Sequence, residues 1–112
     1  MTQHTHGLQT WVLQRISAVY LAGFLVYLII HFLPGGAHSY AQWQAWLSQP
    51  LVNICAAGFI LALLVHGWVG MRDVILDYIH PVALRLAVLG AVGLVLAGSG
   101  LWALRSLLLV AV

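Results

Sequence analysis

Leu51-Val52-Asn53-Ile54-Cys55-Ala56-Ala57-Gly58-Phe59-Ile60-Leu61-Ala62-Leu63-Leu64-Val65-His66-Gly67-Trp68-Val69-Gly70-Met71 carries no formal charge, and its only clearly polar side chains are Asn53 and His66. A helix that crosses a bilayer needs about 20 mostly apolar residues, because each residue rises about 1.5 Å and the hydrocarbon core is about 30 Å thick. The stretch meets that length. Two more segments do the same: Trp11 to Leu33, uncharged from Ile16 onward, and Val82 to about Leu109, uncharged between Arg85 and Arg105. Unbroken hydrophobicity without period-2 alternation favours helices over barrel strands. The reading is an all-α integral membrane chain with helices over about residues 11–33, 51–72 and 82–109, forming one domain over residues 1–112.

Composition agrees. Of 112 residues 63% are apolar and 5% charged, the charges being four arginines and two aspartates. A soluble globule of this size needs a charged shell that so few charges cannot supply, and disordered chains are polar. Cys55 is the only cysteine, which excludes an internal disulfide and a cysteine-held zinc or iron–sulfur site within the chain. A net charge of +2 from scattered arginines makes no nucleic-acid surface.

Pro34-Gly35-Gly36 ends the first span and Gln49-Pro50 introduces the second. Between them Trp43 and Trp46 suit a short segment at headgroup level. Arg15, Arg72 and Arg85 fall on one side of a three-helix bundle and only Arg105 near the other. The positive-inside rule then places the N-terminus and the second connection on the cytoplasmic (or matrix) side and the C-terminus outside. No cation precedes the first apolar run and no small-residue cleavage site follows it, so the first 15 residues do not read as a secretory signal.

His66 is the side chain that needs explaining. It lies about 9 Å of helix inside the Arg72 end, and Gly58, Ala62, His66 and Gly70 recur at every fourth residue. Small residues on one stripe admit a neighbouring helix or a flat cofactor. Two readings stand side by side: a neutral histidine bonded to a neighbouring helix, or a haem ligand of the kind found in helical bundles. Were it a ligand, His31 would not be its partner: rise arithmetic separates the two imidazoles by roughly 15 Å. His31 reads instead as interfacial, and His4 and His6 as part of a hydrated tail.

Arg72, Asp73, Asp77, Tyr78 and His80 cluster beyond the second span, with both carboxylates continuing the His66 stripe and Tyr78 about 18 Å from His66 along a helix. They serve either as a helix stop with surface ion pairs or as a site for a redox-active headgroup, a phenol being a neutral donor able to bond a quinone carbonyl. Gly90, Gly93, Ala97 and Gly100, and Ala18 with Ala22, read as helix–helix seams.

The run from His66 through Gly67-Trp68-Val69-Gly70 to Asp77-Tyr78, then Pro81 and Ala83-Leu84-Arg85-Leu86, resembles the hydrophobic membrane anchor of bacterial succinate dehydrogenase (complex II, cytochrome b556 type). Arg15-Ile16-Ser17-Ala18 is similar to that family's Arg-plus-small-residue start. The resemblance implies half of a two-chain bundle in the inner membrane, beside a companion membrane anchor, an iron–sulfur subunit and a flavoprotein subunit. It implies His66 as one axial ligand of haem b, the other coming from the companion anchor. It implies Tyr78 as the donor to ubiquinone, Asp77 beside it in the quinone pocket, and Arg15 near a haem propionate or quinone-site water. No catalytic residue for succinate is expected in the chain. Arg72-Asp73 and His80 depart from the family's pattern without touching these positions. A fumarate reductase anchor using menaquinone and a purely structural anchor are the alternatives; a small transporter component is disfavoured by the lack of interior acids and of a broken span.

Overall fold

The computed structural model describes residues 2–35 and 38–111, with side chains described from residue 7 onward. Three long helices, α1 (Thr2–Phe32), α3 (Pro50–Tyr78) and α4 (Val82–Ala111), are joined by a 3-10 turn at Leu33–Gly35, a short α2 (Tyr40–Ser48) and the link Ile79–Pro81. All three long helices are apolar enough to cross a membrane. They run for 31, 29 and 30 residues. At about 1.5 Å per residue each exceeds the hydrocarbon thickness, so their ends reach the headgroup layers. The long axis of the molecule, 49 Å, is one helix length.

Two boundaries move outward from the sequence reading. α1 starts at Thr2 rather than near Trp11, because nothing between Thr2 and Trp11 breaks a helix apart from one tolerated glycine, Gly7. His4 and His6 therefore sit on helical backbone and not in a coiled tail; their side chains lie outside the described residues. α3 continues past Arg72 to Tyr78 because Val74-Ile75-Leu76 carries no breaker, and it ends where Pro81 pushes the preceding backbone to an extended conformation.

α3 is the central helix. It packs against α1 on one side and α4 on the other, and α1 and α4 do not pack on each other; α2 lies across one end, against α3 and α4. Such a layer has little interior. Its buried residues include Leu21, Val52, Ala56, Val69, Ile75 and Leu107, while Val19, Leu51, Leu94 and Leu101 are largely exposed, as suits surfaces that meet lipid or the helices of another chain.

Local chemistry fixes α2. Ser39 Oγ accepts a bond from the Gln42 backbone N–H and the Ser39 backbone N–H donates to Gln42 Oε1, a reciprocal cap at its start. Asn53 donates through Nδ2 to the Leu47 carbonyl at 3.1 Å and the Leu107 carbonyl at 3.2 Å, so one amide ties α2, α3 and α4 together. That accounts for the second polar residue of the central span. Of the two interfacial tryptophans expected in this segment, Trp43 is exposed but Trp46 is 5% exposed and forms core. Its ring lies 4.9 Å from Phe32, 5.3 Å from His31 and 6.1 Å from Tyr27. The tryptophan is drawn inward because α2 folds back over the ends of the spans.

The small-residue seams are half right. A Cβ on Gly100 would sit 2.5 Å from Leu64 Cδ1, and Gly93 faces Trp68 at 3.6 Å, so both admit α3 closely. Gly90 has open space around it, and Ala22 is exposed. On α1 it is Ser17 and Leu21, not Ala18 and Ala22, that are buried, since a helical face continues in steps of three and four from Ser17.

Candidate functional site

Ser17 of α1 and His66 of α3 meet on the α1–α3 interface. Ser17, 6% exposed, places its Oγ 3.2 Å from His66 Nδ1 and 3.0 Å from the Gln14 carbonyl oxygen one turn earlier. A serine in a helix reaches its own i−3 carbonyl in this way without help. The imidazole is half-buried, and Nδ1 is the nitrogen that meets α1. Nε2 is the atom a metal would take.

Around this pair the helix faces are polar. Gln14 lies over Gly70, where a Cβ would meet its Nε2 at 3.3 Å. Arg72 Nη2 donates to Thr10 Oγ1 at 3.4 Å and to Asp73 Oδ1 at 3.3 Å. The Arg72–Asp73 pair is partly exposed, so solvent screening leaves it a minor contributor. The expected stripe does face another element, and that element is α1. Gly58 makes room for Tyr20, whose hydroxyl would touch a Cβ there at 2.7 Å and which donates to the Cys55 carbonyl at 2.7 Å. Of the two uses a small-residue stripe allows, close approach of a helix is what the Gly58 position does.

Tyr78 is the last residue of α3 and 78% exposed; Asp77 beside it is exposed as well. Because α3 is continuous, Asp77 lies three turns from His66 on the same face and the phenol about 18 Å along the axis. The end that carries them is clamped. Arg85 donates from Nε to the Ile79 carbonyl at 2.9 Å and from Nη2 to the Leu76 carbonyl at 3.0 Å, satisfying carbonyls on either side of Tyr78 and setting a cation at the helix C-terminus. Arg15 is not brought to this group. It is exposed, two residues before Ser17 and so turned about 200° from it, with its guanidinium 5.3 Å from the Trp11 ring. His31, by contrast, stacks at the Trp46 end, about 14 residues along α1 from the Ser17 level, in keeping with the depth difference expected from the sequence.

The residues missed by the sequence reading are Ser17 as the partner of His66, Gln14, Asn53 as a three-helix tie, and Arg85 as a clamp. A serine one helical turn beyond a glutamine in an apolar span, and an arginine four residues past a helix-ending proline, were the available signals.

Comparison with known proteins agrees with this layout. The Succinate dehydrogenase/Fumarate reductase transmembrane subunit family matches residues 1–103. A relative from Coxiella burnetii (strain RSA 493 / Nine Mile phase I), the Succinate dehydrogenase hydrophobic membrane anchor subunit, is 34% identical over 101 residues, covering 90% of this chain and 88% of the relative. With three spans, one clamped helix end and a match over nearly its whole length, the chain belongs to the succinate dehydrogenase/fumarate reductase transmembrane anchor family.

Proposed function

We propose that this chain is one half of a two-chain, haem- and quinone-binding membrane anchor in succinate:ubiquinone oxidoreductase, helping to pass electrons from an iron–sulfur subunit to ubiquinone. The observation that carries the reading is the pairing, on one continuous helix, of a half-buried imidazole and an exposed phenol about 18 Å further along.

The residues suit haem b. His66 would hold the iron through Nε2 while Nδ1 is engaged by Ser17, and the depth of His31 would leave any second ligand to the companion anchor. When bound, haem would supply a one-electron redox centre. Arg15, exposed and turned about 200° from Ser17 on α1, does not face the His66 level and is left out of the haem site.

At the Arg72 end, Tyr78 donates its phenolic proton in a hydrogen bond to a ubiquinone carbonyl, favouring negative charge on that oxygen as electrons arrive. Two electrons from the iron–sulfur subunit and two protons convert quinone to quinol; Asp77, exposed beside the phenol, is placed to relay a proton from the water layer. The arginine bias puts this end in the cytoplasm, where the iron–sulfur and flavoprotein subunits of a bacterial inner-membrane complex dock. The relative's name favours succinate oxidation over fumarate reduction.

The test is Tyr78→Phe in the assembled complex. Loss of one hydrogen bond to a developing charge lowers succinate-to-quinone turnover by roughly 10–100-fold, with succinate oxidation by an artificial acceptor unchanged. Equal loss of both activities contradicts the quinone role.

A further inference from the structure

We propose that Ser17 is a positioning residue that fixes the His66 imidazole as the tautomer protonated on Nδ1, making Nε2 the iron-binding nitrogen and strengthening it as a donor. The inference rests on the haem reading given above.

It follows from counting protons. Ser17 Oγ makes two short polar contacts, 3.0 Å to the Gln14 carbonyl oxygen and 3.2 Å to His66 Nδ1. Each is attractive only with a proton between the two atoms. The carbonyl has none to give, so the single hydroxyl proton must bridge the first contact. The second proton must then come from the imidazole. A neutral ring protonated on Nδ1 carries its lone pair on Nε2, the nitrogen that Ser17 does not engage.

Geometry makes the arrangement durable. Ser17 is buried at 6% exposure between two helices, so water does not compete for its hydroxyl. The Gln14 carbonyl belongs to α1 backbone, and the same residue's side chain lies over Gly70, one turn from His66, which keeps the two helices in register at this level. A hydrogen bond from Nδ1–H raises the electron donation of Nε2 toward a metal and locks the ring plane; losing such a partner typically costs about 10–100-fold in metal affinity. Stronger donation favours ferric over ferrous iron and lowers the midpoint potential.

The experiment compares purified complexes carrying wild-type chain, Ser17→Ala, Ser17→Thr, Ser17→Val and His66→Ala, by potentiometric titration of the haem and by the low-spin electron paramagnetic resonance signal, which reports axial ligand orientation. Ser17→Ala and Ser17→Val are expected to raise the haem midpoint potential, shift the resonance and release haem more readily; Ser17→Thr keeps the hydroxyl and stays like wild type. Threonine and valine have nearly the same shape, so that pair isolates the hydroxyl even if the alanine variant assembles poorly. Unchanged potential and resonance in Ser17→Val, in a complex where His66→Ala abolishes the haem signal, overturns the Ser17 role and leaves the haem reading standing. An unaltered haem signal in His66→Ala overturns both.

Discussion

The two ends of α1 are held by opposite chemistry. At the Trp46 end the contact, made with α2, is aromatic: the rings of His31, Phe32 and Trp46 lie 4.7–5.3 Å apart and Tyr27 lies 6.0 Å from His31 and 6.1 Å from Trp46, beside a cavity of about 660 Å³ lined by Phe24, Leu28, Trp43, Ile60, Leu107 and Val110. At the Arg72 end it is made of hydrogen bonds between Ser17, Gln14 and His66 and between Arg72 and Thr10. Dispersion and ring stacking hold helices together but set register loosely; directional bonds between polar groups set one register and one orientation. A side chain that must meet a cofactor in one geometry therefore belongs among the bonds. Stability and positioning are divided between the ends.

That division can be broken from either side. The largest effect on stability is expected at the aromatic end. Trp46→Ala removes a nearly fully buried indole and should lower stability by about 3–5 kcal/mol, read as an earlier thermal transition of the complex. The haem difference spectrum and the quinone KM stay as in wild type. Altered haem with preserved stability reverses the comparison.

A smaller and complementary effect is expected at the other end. Arg85→Gln gives up charge-assisted bonds to the Leu76 and Ile79 carbonyls, about 1–3 kcal/mol of local support around Tyr78. The α3 terminus frays, the quinone KM rises by up to roughly tenfold, and the haem spectrum is untouched because His66 lies more than three turns away. Arg85→Lys restores part of the KM, since one ammonium keeps charge at the helix end but not the fork. An unchanged KM in Arg85→Gln shows that Tyr78 holds its place without the clamp.

Much of this was legible in the residues themselves. Span number and type followed from hydropathy and length, and the Asp77-Tyr78 and His66 positions from a motif on one helix, because a helix converts spacing into face and depth by fixed geometry. Contacts between helices were not legible. Ser17 meets His66 because α1 and α3 cross at that level, and nothing in either segment's own period states it. Trp46 shows the same limit: a tryptophan between two spans reads as interfacial until the fold of α2 buries it. Asn53 looks like a polar intruder in the sequence and is satisfied by two backbone carbonyls from other elements. Arg15 stands out by its position, yet α1's rotation turns it away from His66.

The most direct measurement is a dithionite-reduced minus oxidised optical spectrum of the purified complex, wild type beside His66→Ala. A b-type haem signal in wild type that is lost or shifted in the variant is the predicted result, and it places iron on α3 at the level of Ser17. A haem signal identical in both contradicts ligation by His66.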